Sequence, residues 1–321
     1  MSLPRISVII CTHNPDPELF CKVLSGLRRQ TLERTVWELV VVDNASDPPV
    51  AVMPCMGGVD GDARVVREER PGLVFARCTG TLYAAGEILV FLDDDNFLKP
   101  DYLERALNIF SDRSLESVGM CGGTVEPVFE SSPPRWLDSV KNHLAVRNHG
   151  TRAMISKAPD LSFPEPVGAG MAMRRAVAEK FAEFVNDNAP LRSLGRKGKQ
   201  LAGCEDTLMV LICYGCGFHV AYFPCLKLLH YIPAGRMTVR YHIRLAGALG
   251  KSLAQLMRFV DDSRLRRSAP SRVLYLLIHF FSCLKNEKMF SAALIKWLWM
   301  ASFVMYSKTI WGDLKYREIE V

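Results

Sequence analysis

The sequence predicts an α/β protein with a mostly parallel central sheet flanked by helices, and three observations carry that expectation. Short apolar runs recur through the first half, helical segments with one apolar face separate them, and two runs stop at an aspartate. Those two are Leu39–Val42 before Asp43 and Glu87–Leu92 before Asp93. Continuous apolar strands are buried on both faces, which is the condition of a parallel sheet covered by helices. Ligands bind such sheets at the carboxyl ends of the strands, so both aspartates stand where a site is expected.

Taken in order, Ile6–Cys11 is the opening strand. Pro17–Gln30 places Leu19, Phe20, Val23, Leu24 and Leu27 on one helical face. Leu39–Val42 is the second strand and Arg64–Val66 a third. Gly72–Ala85 is helical, Glu87–Leu92 is a strand, and Pro100 opens a helix over Asp101–Phe110. The stretch Glu126–Pro166 is polar and irregular, with Pro133, Pro134 and Trp136 inside it. Such a long irregular stretch in a compact domain points to function or mobility. Glu205–Tyr214 is helical, Phe218–Phe223 a strand, and Met237–Met257 a longer helix.

A length of 321 residues allows one large α/β domain with an appendage, or two domains. With 49% hydrophobic and 23% charged residues, the chain is neither disordered nor low in complexity. Its net charge of +6 is uneven: from Arg236 onward there are 15 Lys and Arg against 6 Asp and Glu. That basic quarter also holds the apolar segments Val273–Leu284 and Phe290–Tyr306, a pairing that suits a membrane surface better than nucleic acid. Both segments fall short of the roughly 20 apolar residues a span requires. Two expectations follow: attachment at the membrane interface, or packing as a helical hairpin on the domain or across a homodimer.

The ten cysteines sit in apolar contexts, and MSLPRISVIICTHN has no signal-peptide pattern. Reduced core thiols in a cytoplasmic protein are therefore expected. Cys213 and Cys216 have a metal-ligand spacing, but they lie where a helix runs into a strand.

Gly26 is the only glycine before Gly57, so the first strand–helix turn cannot be a glycine-rich phosphate cradle. The informative run is Asp93-Asp94-Asp95. Each like-charged pair costs about 4 kcal/mol at about 4 Å and an effective dielectric of about 20, so a cation should share the site. All-oxygen donors suit Mg²⁺ or Mn²⁺. Alone, the run also suits a solvated acidic turn, Glu205-Asp206 suits the first turn of a helix, and His230 suits a satisfied surface position.

In sequence order these residues make a pattern. It runs through Val8–Asn14, Val40–Ser46, Arg70-Pro71-Gly72-Leu73 with Ala76-Arg77, Gly86–Asp95, Gly168–Arg174, Gly203–Thr207, and His230 with Pro233 and Arg236. Over about residues 5–255 the chain resembles the family 2 glycosyltransferases of the GT-A nucleotide-sugar-binding fold. The resemblance implies a catalytic domain over 1–235 and a basic, apolar helical extension over 236–321. It implies that Thr12 lines the nucleotide pocket, Asp43 contacts the base, and Arg77 binds near the base or diphosphate. Asp93 would hold the ribose or a metal-bound water, Asp94 would lie beside the donor sugar, and Asp95 would ligate the metal. Asp206 would be the general base, and His230 would complete the metal or diphosphate site. Asn44 and Ala45 stand where many relatives have Asp and Gly, and Cys78 where many have Asn.

The implied reaction is inverting transfer of a sugar from a UDP-, GDP- or dTDP-sugar, with Mn²⁺ or Mg²⁺. The acceptor would be a hydroxyl on a surface polysaccharide or a lipid-linked glycan, at the cytoplasmic face of the membrane. Two alternatives stay open: a polyprenyl-phosphate sugar synthase, and a non-catalytic binding protein that keeps the fold.

Overall fold

The computed structural model describes residues 3–56, 63–159 and 163–257, together with 294, 295, 297 and 298. Strands β1 (Ile6–Thr12), β2 (Trp37–Asp43), β3 (Ala63–Arg67) and β4 (Ile88–Asp93) form a parallel sheet in the order β3-β2-β1-β4. Side-chain alternation sorts their residues between two cores. Ile6, Val8 and Ile10 of β1 join one core, with α1 (Pro17–Leu27) and α3 (Tyr102–Ser111) above them. Ile9 and Cys11 join the other, with α2 (Leu73–Tyr83), α4 (Arg175–Asp187) and α5 (Glu205–Gly215). All of β1 is buried, as its unbroken apolar run predicts.

Beyond β4 the sheet is mixed. β8 (Met171–Arg174) pairs antiparallel with both β4 and β6 (Val118–Phe129), while β9 (His219–Ile232) runs parallel to β6. The short β5 (Asn96–Leu98) and β7 (Met154–Ser156) add antiparallel edges to β9. The β6–β9 ladder is interrupted between Gly122 and Thr124, where β9 jumps from Tyr222 to Lys227. A Cβ on Gly123 would lie 1.9 Å from the Leu226 carbonyl oxygen, so only glycine permits this close approach. Past the break, β9 meets β5 with His230 opposite Asn96, and Tyr231 N donates to Asp95 O at 2.9 Å. The main chain itself therefore brings His230 beside the acidic loop.

Several elements differ from the expectation. β9 runs on to Ile232 because its second half gains partners in β5 and β6. β6 likewise extends into the stretch expected to be irregular, which also holds β7 and two short 3₁₀ turns, Arg135–Ser139 and Lys141–Leu144. α4 was not foreseen, although Val177, Phe181 and Val185 recur every four residues and are buried. α6 (Val239–Leu256) is capped by the Thr238 hydroxyl, which accepts from Tyr241 N.

The expectation of reduced thiols needs correction at one pair. Cys21 of α1 and Cys55 of the turn after β2 form a disulfide, because the two segments hold their Cα atoms 5.4 Å apart. Cys213 and Cys216 remain free thiols, and among the described residues no three or more His, Cys, Asp or Glu side chains stand gathered as a ready-made metal site; at the acidic loop Arg236 takes the space beside Asp95. The apolar segments Val273–Leu284 and Phe290–Tyr306 lie outside the described residues apart from four positions. One of these, Ile295, is buried in a third cluster with Trp136, Met237 and Leu245. No described helix is long and apolar enough to cross a membrane.

Candidate active site

Three parallel strands deliver their last residues to one rim. Thr12 lies in register with Asp43, and Cys11 with Asp93. The Thr12 hydroxyl donates to Asp94, tying the end of β1 to the acidic loop. Burial and the charge of Asp95 push the Asp94 carboxyl up to about 7, with the Thr12 hydrogen bond opposing. Asp93 is raised too, first by burial and then by Asp95, against the pull of Arg77, His230 and Arg236.

The cation demanded by the acidic run is, in part, a residue of the chain. Arg236 Nη1 donates to Asp95 Oδ2 at 3.1 Å, and His230 Nε2 lies 3.6 Å from the same oxygen. Burial works against the Asp95 charge, but His230, Arg236 and Asn96 outweigh it and hold its carboxyl below the usual range. His230 is 5% exposed, and its Nδ1 is buried without a hydrogen-bond partner.

Asp43 is turned inward. Its carboxylate accepts from Ser46 N at 2.9 Å, Val50 N at 3.1 Å and Arg67 Nη1 at 2.8 Å. Burial alone would raise its pKa, but these bonds prevail and lower it. Both oxygens are thus engaged by the protein, where the resemblance implied a contact to the base. Next to it, Asn44 ties the end of β2 to the segment that follows β3: its amide donates to Glu68 O and Arg70 O and accepts from Gly72 N. Ala45 adopts a left-handed conformation, φ 56°, a region that glycine reaches without the cost a Cβ carries.

Arg77 was expected near the donor, and the structure seats it deeper. Its side chain is 2% exposed, with Nη1 3.3 Å from Glu205 Oε1, whose own side chain is 8% exposed. Burial opposes the guanidinium charge, but Glu205, Asp93 and Asp206 keep it protonated. Burial pushes Glu205 up to about 7, with Arg77 opposing and Asp206 adding. Gly168 makes room for this pair: a Cβ there would lie 1.9 Å from Arg77 Nη2. Arg77 is therefore the buried positive charge between the acidic loop and the start of α5.

Asp206, one residue on, is half-buried and accepts from Thr207 N at 2.9 Å. Thr207 Oγ1 donates to Glu165 at 3.2 Å, and the Glu165 carboxyl is raised by burial and by the charge of Asp206. Arg147 also senses Asp206 and Glu165, though burial lowers its pKa. No local signal singles out Glu165, Arg147 or Arg67, because each acts through a contact distant in the chain. A separate cavity of 820 Å³, lined by Lys99, Asp101, Arg105, Glu126 and Lys227, includes none of the residues expected in the site.

The acidic loop offers hard oxygen donors, three adjacent carboxylates with the guanidinium groups of Arg77 and Arg236 beside them. In charge and donor type it fits a divalent cation such as Mn²⁺ or Mg²⁺.

The sheet order, the acidic loop after β4 and the acidic start of α5 define the GT-A fold. The mannosyltransferase PcManGT of Pyrobaculum calidifontis, solved with GDP-Man and Mn²⁺, shares it at a TM-score of 0.56 and 19% identity, covering 98% of this chain and 89% of its own. The family model of glycosyl transferase family 2 matches residues 7–181, more than half of the sequence, and the chain belongs to that family. Polypeptide N-acetylgalactosaminyltransferase 5 of Caenorhabditis elegans is 35% identical over 96 residues, which are 29% of this chain and 15% of that protein. Glycosyltransferase AglE of Haloferax volcanii is 32% identical over 127 residues, 39% of this chain and 40% of its own length. The chain thus spans less than half of either relative.

Proposed function

We propose that the protein is an inverting glycosyltransferase that moves a sugar from a nucleoside-diphosphate donor to a hydroxyl of a surface polysaccharide or glycolipid. The observation that carries this is the convergence of the Asp93–Asp95 loop and the Glu205–Asp206 helix start on one buried arginine, Arg77. Thr12 and the Asp43–Val50 turn wall the nucleotide side, with Asp43 organising that turn through Ser46 and Val50. Asp95, Asp93 and His230 would hold Mn²⁺ or Mg²⁺, which when bound supplies positive charge for the departing diphosphate. The GDP-Man in the complex with PcManGT puts GDP-sugars beside UDP- and dTDP-sugars among the donors to test.

The chain's own residues divide the acid–base work by environment. Glu205 is buried against Arg77, so it cannot meet an acceptor and serves instead to fix the start of α5. Asp206 is half-buried at the same helix start and is the carboxylate left to face one. A hydroxyl is too weak an acid to ionise alone, and it passes its proton to the Asp206 carboxylate as it attacks the anomeric carbon. A single displacement inverts that carbon. Ile295, buried against Trp136 and Leu245, supports packing of the C-terminal extension on the catalytic unit.

The test is a donor panel of UDP-, GDP- and dTDP-sugars, followed by turnover assays of Asp206→Asn. Loss of hydroxyl transfer in the variant supports the base. Near-full activity would point to a phosphate acceptor, which needs no base.

A further inference from the structure

Arg236 lies in the short turn Ala234–Met237 after β9, and its position has a consequence for how the acidic loop takes up a cation. Nη1 is 3.1 Å from Asp95 Oδ2 and 3.4 Å from His230 Nε2, and those two atoms are 3.6 Å from each other. Nε2 is also an atom through which an imidazole binds a metal. An ion held by both atoms, at about 2.1 Å from each, would lie within about 4 Å of Nη1 on whichever side it sat. A guanidinium and a divalent ion that close repel strongly, so the two compete for one place. Arg236 has a way out toward solvent: its side chain is 38% exposed, against 11% for Asp95.

We propose that Arg236 is an internal counter-ion that fills the acidic site of the donor-free protein and must leave before a divalent ion binds Asp95. The free protein then binds the ion weakly. A nucleoside diphosphate, whose anionic oxygens offer the guanidinium another partner, brings the ion in with it. Ion and nucleotide thus bind cooperatively, and Arg236 is the residue that couples them. This inference rests on the metal-supported donor site proposed above.

The experiment titrates Mn²⁺ into the full chain and reads the free-ion signal by electron paramagnetic resonance, with and without GDP or UDP. Wild type, Arg236→Gln, Arg236→Lys and Asp95→Asn are compared, each checked for folding by circular dichroism. Arg236→Gln should bind Mn²⁺ alone at least about ten-fold more tightly than wild type and lose most of the enhancement by nucleotide. Arg236→Lys should keep the wild-type pattern in weaker form, and Asp95→Asn should lose tight binding with and without nucleotide. If wild type binds Mn²⁺ with nucleotide but Arg236→Gln binds the ion alone no better than wild type, the counter-ion role is wrong while the donor site stands. If no variant binds Mn²⁺ with or without nucleotide, the metal site and the inference fall together.

Discussion

Replacing Arg77 by Met should destabilise the protein by about 3–5 kcal/mol, the cost of stranding one member of a buried ion pair. Arg77 and Glu205 are 2% and 8% exposed, so little water can compensate for the lost partner. Methionine fills a similar volume, which keeps a cavity from confusing the result. The stranded Glu205 can take a proton, and its carboxyl already sits near 7. A folded-state pKa raised above the unfolded value costs stability as pH rises, so the Arg77→Met penalty should be larger at pH 8 than at pH 6. Urea unfolding at both pH values measures it. Adding Glu205→Gln should recover part of the loss, since it removes the unpaired charge. Gly168→Ala approaches the same pair from the other side by displacing the guanidinium, and it should cost less in the Arg77→Met background than in wild type. An Arg77→Met penalty below about 1 kcal/mol at both pH values, with no recovery by Glu205→Gln, would refute the reasoning.

Three further outcomes follow from single sites. Ala45→Gly should raise stability by up to about 1 kcal/mol in urea unfolding, because φ 56° costs alanine and not glycine. His242 is buried against Trp136, and burial lowers its pKa to about 4, with the Arg236 backbone opposing. Its lowered folded-state pKa means that stability is full above about 6.5 and declines toward pH 4, by roughly 1.4 kcal/mol per pH unit at most. His242→Phe should flatten that slope. Asp206→Asn should lower kcat by about 10²–10⁴ with little change in donor KM, measured by release of nucleoside diphosphate.

What could be recognised in advance depended on how local each signal was. β1, β2 and β4 were legible because burial on both faces writes an unbroken apolar run into a few residues. The Asp93–Asp95 run drew attention because three adjacent carboxylates at the end of a buried strand repel one another. The second halves of β6 and β9 were not legible, since they pair across a hundred residues and hinge on the close approach at Gly123. For the same reason the partner of Arg77 escaped notice: nothing near Arg77 in the chain points to Glu205. Asp43 was correctly put at a strand end, but its engagement with Val50 and Arg67 depends on a turn whose course only the fold reveals. The cysteine expectation failed at Cys21 and Cys55 on the same ground, because composition carries no information on which thiols meet.

The Asp93–Asp95 loop is proposed to hold a nucleoside diphosphate through a divalent ion. Isothermal titration of GDP and UDP into the protein, with Mn²⁺ and then with a chelator, tests it most directly, and Asp93→Asn/Asp95→Asn serves as the control. Binding of at least one nucleotide that requires Mn²⁺ and vanishes in the double variant is the predicted result. Nucleotide binding of equal strength with chelator, or undiminished binding by the double variant, would contradict it.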